Sequence, residues 1–171
     1  MQPYLICLDL DGTLLNDNKE ISSYTKQVLT ELQQRGHYIM IATGRPYRAS
    51  QIYYHELNMN TPVVNFNGAY VHHPKAQDFE TIHEVLDVEI SKNIITALQQ
   101  SHVTNIIAEV KDYVFINNHD PRLFEGFSMG NPKIQTGNLL EQLNESPTSL
   151  LVEADEDNIP DCLLYTSPSP R

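Results

Sequence analysis

The sequence LDLDGTLL, at residues 8–15, places two aspartates and a glycine directly after an apolar run. The run at residues 4–8 predicts a buried β-strand, because it is continuous and is followed by a turn. Asp9 and Asp11 then lie at the end of this strand, and the alternation of side chains puts both on the same side. Gly12 permits the sharp turn that follows. Since α/β sheets hold ligands at strand ends, we expect a site here.

The two aspartates of this turn also suggest what they bind. Neighbouring carboxylates repel each other unless a positive charge lies between them. A hard cation with oxygen ligands, such as Mg²⁺, suits this position. We therefore expect Asp9 and Asp11 to bind Mg²⁺, with a metal-free acidic turn as the alternative.

The composition describes an acidic chain of 171 residues with a formal net charge of −11. This charge argues against a nucleic-acid surface, which needs clustered Lys and Arg. No apolar run approaches the roughly 20 residues that span a bilayer, and no secretory signal is visible. Cys7 is expected in the core of the first strand, and no disulfide framework is present. We expect a cytoplasmic protein without a nucleic-acid, membrane or obligate protein partner.

A second strand with a polar end follows the first. Residues 22–36 predict a helix that has Ser22 as N-cap and ends at a glycine. The apolar run at residues 38–42 then predicts a strand covered on both faces. It ends at Thr43, beside the start of a further helix, where backbone N–H groups favour a phosphate. Arg45 adds a planar cationic donor for phosphate, although an exposed arginine is the alternative.

A third strand is predicted at residues 62–66, followed by Asn67 and Gly68. Asn-Gly is a turn signal in its own right, so a plain turn and a substrate-binding role for Asn67 both stay open. Residues 70–71 and 81–82 suit the paired strands of a hairpin.

The pattern of the sequence changes near Leu86. A helix is predicted to begin at Asp87, with its apolar face formed by Ile90, Ile94, Ala97 and Leu98. Helices mixed with antiparallel hairpins are typical of an α+β module. The other elements predicted here are strands at residues 105–110, 113–116 and 149–153 and helices at residues 121–127 and 139–143.

Several of these motifs resemble signatures of the haloacid dehalogenase (HAD) superfamily, most of whose members are phosphatases. The sequence DLDGT, at residues 9–13, resembles the first signature, and Thr43 resembles the second. The sequences ATGR, at residues 42–45, and NGA, at residues 67–69, resemble the Cof-type branch, which is class IIB. The resemblance implies an α/β fold: a HAD-like Rossmannoid parallel-sheet core with an inserted α+β class II cap domain.

The same resemblance implies an activity and a role for each motif residue. The activity is Mg²⁺-dependent hydrolysis of a small phosphorylated metabolite, such as a sugar phosphate, through an aspartyl-phosphate. Asp9 is then the nucleophile, and Asp11 protonates the leaving oxygen and later activates water. The phosphate- and substrate-binding residues are then Thr43, Gly44, Arg45 and Asn67.

The resemblance also predicts a fold that is incomplete at the C-terminus. Residues 1–85 are expected to be the N-terminal part of the core, residues 86–161 part of the cap, and residues 162–171 a non-native tail. The tail can be encoded by a string resembling a sequencing-library adapter, with a natural Pro/Ser-rich tail as the alternative. We therefore expect the natural protein to continue past about Pro160. The third signature, a lysine, and the fourth, an acidic stretch, are not seen, since the acidic run at residues 155–157 lacks the fourth signature's glycine.

Other interpretations follow from the same residues. A truncated fragment would be impaired or inactive, and its first strand would form a bare apolar edge that lowers solubility. A phosphomutase on the same fold would share Asp9 and Asp11. A receiver-type signalling domain is disfavoured, because its phospho-acceptor would follow the third strand, where this chain has Asn65 and Asn67.

Overall fold

The computed structural model describes residues 2–154. They form two compact units, which divide between Glu84 and Val85. The first unit combines parallel strands with helices, and the second places helices against a four-stranded sheet. The α/β fold expected from the sequence is therefore confirmed. The acidic run at residues 155–157 and the tail at residues 162–171 lie outside the described residues.

The first unit is built around the strand that precedes the aspartates. That strand pairs in parallel with the next, and a single parallel bridge from Ala42 to Val64 continues the order to the third. The third, fourth and fifth strands are antiparallel. In chain order the elements are β1 (Leu5–Leu8), α1 (Ser23–Gln34), β2 (Tyr38–Ile41), α2 (Tyr47–Glu56), β3 (Val63–Asn65), β4 (Tyr70–His72) and β5 (Ile82–His83).

The helices of the first unit begin and end near the residues that the sequence indicates. The Ser22 hydroxyl oxygen accepts a hydrogen bond from the Thr25 N–H at 3.1 Å, which caps α1 as predicted. Gly36 follows that helix with a φ of +85°, a conformation that glycine adopts without steric cost. Pro46 has an extended backbone and precedes α2 as its N-cap, although proline is common at the first helical position.

The predicted burial of β1 is wrong for half of its residues. Leu5 is 59% exposed, and Cys7 is exposed as well. Only Ile6 and Leu8 pack against the core. The reason is the alternation of side chains, because Ile6 and Leu8 face the apolar cluster while Leu5 and Cys7 point to the opposite face, which no apolar cluster of the described residues covers. Tyr38 is also exposed, so the prediction that β2 is covered on both faces is wrong at that residue.

A single apolar cluster stabilises the first unit. It joins the turn after β1 to both helices and to the inner face of β2. Removing such side chains from water is the main term that favours folding, at roughly 1.5–3 kcal/mol for each fully buried large side chain. The fully buried members with large side chains are Leu10, Ile39, Ile41, Tyr54 and Met59.

The second unit is a mixed sheet with helices on both faces. The sheet order is β8-β7-β6-β9, and β8, which the sequence analysis missed, pairs in parallel with β7. No helix among residues 2–154 is long and apolar enough to cross a membrane. In chain order the elements are α3 (Val88–Gln99), β6 (Val103–Val110), β7 (Tyr113–Ile116), α4 (Pro121–Phe127), β8 (Lys133–Thr136), α5 (Leu139–Gln142) and β9 (Ser149–Ala154).

The alternation of side chains along β6 divides the second unit into two apolar clusters. Ile106 and Ala108 pack with α3 and α5, whereas Ile107 packs with α4 on the opposite face. Asp87 caps α3 as predicted, since its side chain accepts from the Glu89 and Ile90 N–H groups. The buried face of α3 differs from the prediction, because Ile90 is exposed.

Candidate active site

The segment after β1 forms a wide turn that carries both aspartates. The Leu15 N–H donates to the Leu10 carbonyl at 2.9 Å, and Gly12 has a φ of +71°. That left-handed conformation suits glycine, because other side chains are strained there. Leu10 is fully buried, whereas Asp9 and Asp11 on either side of it are exposed. Leu10 therefore anchors the turn in the apolar core, and both carboxylates face solvent.

Asp11 is the centre of an ion cluster. Arg45 binds it through two atoms, with Nε 2.6 Å from Oδ2 and Nη2 2.7 Å from Oδ1. The Lys19 ammonium also donates to Oδ1, at 2.8 Å. The Arg45 hydrogen bonds, supported by Lys19, outweigh partial burial and hold the pKa of Asp11 well below its usual range. The same hydrogen bonds raise the pKa of Arg45. Asp11 is therefore a firmly ionised carboxylate in this arrangement.

Tyr53 supports both cations of this cluster. Its ring centroid lies 5.6 Å from the guanidinium carbon of Arg45, within cation–π range. Its hydroxyl donates to the Lys19 carbonyl at 2.9 Å. The side chain is only 4% exposed, so it offers a fixed support. Neither Tyr53 nor Lys19 was predicted from the sequence to belong to the site.

Thr43 lies at the end of the second strand, in the position that the second signature predicts. It is 5% exposed, and its N–H donates to the Val64 carbonyl at 2.9 Å. Its hydroxyl oxygen accepts a hydrogen bond from the Arg45 N–H at 3.2 Å. Because that oxygen already accepts a bond, the hydroxyl hydrogen is left to donate to an acceptor such as a phosphate oxygen.

The loop after β3 packs against the loop after β2. The Asn67 N–H donates to the Thr43 carbonyl at 3.2 Å, and the Asn67 side chain lies against Gly44. Asn67 and the preceding Phe66 both have left-handed backbones, with φ of +55° and +51°. Two such residues in succession are costly and persist only where the surroundings hold them. The structure therefore brings Thr43, Gly44, Arg45 and Asn67 together in one place.

Asn65 also has a structural role in this region, and that role was not predicted from the sequence. It is fully buried at the end of β3. Its Nδ2 donates to the Arg45 carbonyl and to the Ser50 hydroxyl, each at 2.9 Å. Among the described residues its Oδ1 has no hydrogen-bond partner. Asn65 thus links the end of β3 to the loop after β2 and to the first half of α2. A sequence pattern of strands and turns does not reveal this link.

The two predicted magnesium ligands are of a type that binds Mg²⁺, but they do not form a complete metal site by themselves. Asp9 and Asp11 supply the oxygen donors that Mg²⁺ prefers. Within residues 2–154, however, no third His, Cys, Asp or Glu joins them to form a metal-binding group. Both oxygens of Asp11 also contact cations already. Magnesium binding by this chain therefore stays a prediction.

Comparison with protein families gives the site its context. A sequence profile of haloacid dehalogenase-like hydrolases matches residues 6–168. The chain belongs to this family. This HAD hydrolase is 43% identical over 166 residues to the Bacillus subtilis protein YitU, a 5-amino-6-(5-phospho-D-ribitylamino)uracil phosphatase. The alignment covers 97% of this chain and 62% of YitU. The Escherichia coli pyridoxal phosphate phosphatase YbhA is 29% identical over 109 residues, covering 63% of this chain and 39% of YbhA.

Solved structures confirm the expected class IIB fold of this HAD hydrolase. A haloacid dehalogenase-like hydrolase from Bacteroides thetaiotaomicron matches with a TM-score of 0.78 and 24% identity, over 94% of this chain and 62% of that one. The HAD subclass IIB sugar phosphatase BT4131 matches with a TM-score of 0.73 and 21% identity, over 96% of this chain and 63% of that one. The chain thus spans about three fifths of the length of these proteins and of YitU.

Proposed function

We propose that the whole protein hydrolyses a small phosphorylated metabolite through an aspartyl-phosphate on Asp9. The observation that carries this proposal is the two-atom contact between Arg45 and Asp11. It joins the turn of the first signature to the loop of the second, although the two residues are 34 positions apart. A nucleophile and a phosphate-binding loop are the parts that phosphoryl transfer requires.

The chemistry assigns one task to each residue of the proposed site. A carboxylate oxygen of Asp9 attacks phosphorus, the bond to the leaving oxygen breaks, and Asp11 gives that oxygen a proton. Asp11 then takes a proton from water, which attacks phosphorus, releases phosphate and restores the Asp9 carboxylate. The Thr43 hydroxyl and the Arg45 guanidinium donate to phosphoryl oxygens, supported by Gly44 and Asn67.

The ion cluster on Asp11 sets a condition for this mechanism. Arg45 and Lys19 favour the ionised form of Asp11, whereas the first step needs its protonated form. A phosphate dianion competes with Asp11 for the guanidinium, so we propose that substrate binding draws Arg45 away. Asp11 would then regain a more ordinary pKa before it acts as the acid.

Magnesium is part of the proposal as a bound cofactor. Asp9 and Asp11 would contribute to holding it, and when bound it would offset the negative charge of the phosphate and the nucleophile. We also propose that the first unit is the HAD core, within residues 1–85, and that the second, within residues 86–161, belongs to the cap. The protein is expected in the cytoplasm, with a small phosphorylated metabolite as its ligand.

Substrate candidates come from the relatives. YitU acts on 5-amino-6-(5-phospho-D-ribitylamino)uracil and is 43% identical to this chain, so we propose that compound for the first assay. Pyridoxal phosphate and a sugar phosphate are the next, since the names of YbhA and BT4131 point to them. All three are small phosphorylated metabolites, which is the class that the sequence predicts.

Phosphate release with Mg²⁺ tests the proposal. We expect release from at least one of these compounds or from p-nitrophenyl phosphate, and loss of release in Asp9→Asn, which removes the nucleophilic oxygen but keeps the size. Equal rates in wild type and Asp9→Asn would overturn the proposal. Phosphate binding without turnover would support the inactive-fragment interpretation for the 171-residue chain.

A further inference from the structure

Two cations converge on one oxygen of Asp11. The Lys19 Nζ lies 2.8 Å from Oδ1, and the Arg45 Nη2 lies 2.7 Å from the same atom. Two positive charges that are directed at one oxygen repel each other unless an anion lies between them. Asp11 is the anion between this pair, and a phosphate dianion is an anion that the same two cations can bind.

Hydrogen bonds within the turn at residues 16–20 hold the backbone of Lys19 in place. The Lys19 N–H donates to the Asn16 carbonyl at 2.9 Å, and the Asn16 N–H donates to the Glu20 carbonyl at 3.0 Å. The Asn16 side chain accepts from the Glu20 N–H at 2.9 Å. Lys19 itself has a φ of +60°, which a side chain other than glycine rarely adopts. Such a conformation persists where surrounding bonds hold it, as they do here.

Tyr53 fixes this turn against the core. Its hydroxyl donates to the Lys19 carbonyl at 2.9 Å, and its ring lies beside Arg45. Tyr53 is 4% exposed, whereas the Lys19 side chain is 55% exposed. The backbone of Lys19 is therefore held while its ammonium, on a flexible four-carbon stem with three donors, can move to a new acceptor.

We propose that Lys19 binds the phosphate of the substrate together with Arg45, and that Tyr53 is the positioning residue that holds it there. This inference rests on the proposed function, because the phosphate is the one bound for attack by Asp9. Lys19 passes from Asp11 to the dianion when the substrate arrives. It supplies a cation from the segment that follows the first signature.

Affinity for inorganic phosphate tests the role of Lys19 without requiring turnover. Isothermal titration of the full chain in magnesium buffer is the measurement. We expect Lys19→Met to weaken phosphate binding by about fivefold, as for loss of one charge-assisted hydrogen bond at a partly exposed site. Lys19→Arg retains the charge and should keep most of the affinity. Lys26→Met is the matched control, because Lys26 pairs with Glu56 instead of Asp11. Wild-type affinity in Lys19→Met would overturn the inference.

The role of Tyr53 needs a variant that removes only the hydroxyl. Tyr53→Phe keeps the ring beside Arg45 and loses the bond to the Lys19 carbonyl, together with the hydrogen bond between the hydroxyl and Arg45. We expect part of the loss seen in Lys19→Met, and a combined loss smaller than the product of the two, since Tyr53 acts in part through Lys19. Losses that multiply in the double variant would overturn the positioning role. Thermal unfolding of each variant shows that the fold is retained.

A parallel titration of Thr43→Val separates this inference from the proposed function. Weaker binding in Thr43→Val with unchanged binding in Lys19→Met would overturn the role of Lys19 and leave the proposed function standing. Unchanged binding in both variants, or no phosphate binding by the wild type, would count against the phosphate-binding loop as well.

Discussion

The side-chain oxygen of Asn67 lies 2.9 Å from the point that a Cβ atom would occupy at Gly44. A carbon and an oxygen do not approach so closely without displacing one another. The Asn67 side chain can therefore lie against the loop after β2 only because residue 44 has no side chain. This contact sets the place of Asn67 beside Thr43 and Arg45, and it makes Gly44 a packing requirement of the candidate site.

Gly44→Ala should displace the Asn67 side chain. We expect a loss of about 1–3 kcal/mol in the free energy of unfolding, the usual range for an added methyl group without room, and weaker binding of inorganic phosphate. Urea unfolding and isothermal titration measure the two effects. Gly126→Ala is the control, because a Cβ at that glycine meets open space. In the helix α4 it should stabilise by up to about 1 kcal/mol.

A second substitution identifies the cause of the Gly44→Ala effect. Asn67→Gly removes the colliding amide and also relaxes a left-handed backbone. The double variant should regain most of the stability lost in Gly44→Ala, without regaining phosphate affinity. Stability that stays low in the double variant would show that the collision with Asn67 is not the reason.

Asn65→Ala should weaken the link between β3 and the loop after β2. The change removes two hydrogen bonds of a fully buried amide and leaves the Arg45 carbonyl without that donor. We expect about 2 kcal/mol of destabilisation, measured by urea unfolding. Ser50→Ala removes one of the two bonds and a longer one, at 3.3 Å, from the Ser50 hydroxyl to the Tyr47 carbonyl, and should cost about 1 kcal/mol. A loss of unfolding free energy in Ser50→Ala that equals or exceeds the loss in Asn65→Ala would contradict the role of Asn65 as the main link.

The ion cluster on Asp11 predicts that the difference in stability between wild type and Asp11→Asn depends on pH. The pKa of Asp11 is depressed in the folded state, so its pairing stabilises the fold above the ordinary aspartate pKa and loses effect as pH falls towards the folded value. The side chain is 43% exposed, so solvent screening limits the contribution to about 0.5–1 kcal/mol. Wild type should exceed Asp11→Asn near neutral pH, and the two should converge below about pH 3. A difference that is constant from pH 7 to pH 3 would contradict this explanation.

The exposed strand β1 predicts self-association. Leu5 and Cys7 face solvent on a strand that pairs with β2 alone among residues 2–154. Unpaired apolar strands recruit other chains, so we expect oligomers in sedimentation velocity experiments. Leu5→Lys should reduce them. Tyr24→Lys is the control, since Tyr24 is also a large exposed side chain, at 77%, but lies on the helix α1. A monodisperse wild-type monomer would refute the prediction.

Helix α3 offers a matched pair of isoleucines. Ile95 is fully buried, whereas Ile90 is 57% exposed, although both lie in one helix. Ile95→Ala should cost about 3 kcal/mol because it leaves a cavity. Ile90→Ala should change the stability by about 0.5 kcal/mol or less. Chemical unfolding followed by circular dichroism measures both. Similar costs for the two variants would show that α3 packs with a different face.

Local sequence patterns predicted the helix starts and the turns of this protein well, because these features depend on residues that are close in the chain. Ser22 and Asp87 begin their helices because a side-chain oxygen reaches an N–H two or three residues away. Gly12 and Gly36 mark turns because only their own backbone must be left-handed. The motif at residues 9–13 also indicated the family correctly. Patterns of this kind miss β8, whose strand depends on the parallel partner that β7 provides.

Burial was harder to predict, because the same helix or strand can present either face. The spacing of apolar residues in α3 suits more than one stripe, and packing against the sheet selects Ile95 over Ile90. For β1 the apolar composition indicated a covered strand, but cover requires neighbours on both sides. Exposure of Leu5 follows from which face of β1 the apolar cluster covers, and composition does not report that.

The amino-acid sequence alone determined the family, the two aspartates at a strand end and the loop that begins at Thr43, since each rests on residues that are close in the chain. Only the tertiary structure showed that Arg45 and Lys19 share an oxygen of Asp11 and that Tyr53 supports both. These contacts join residues up to 34 positions apart. They depend on where the chain returns and on which way each side chain points, and those are decided by packing of the whole unit.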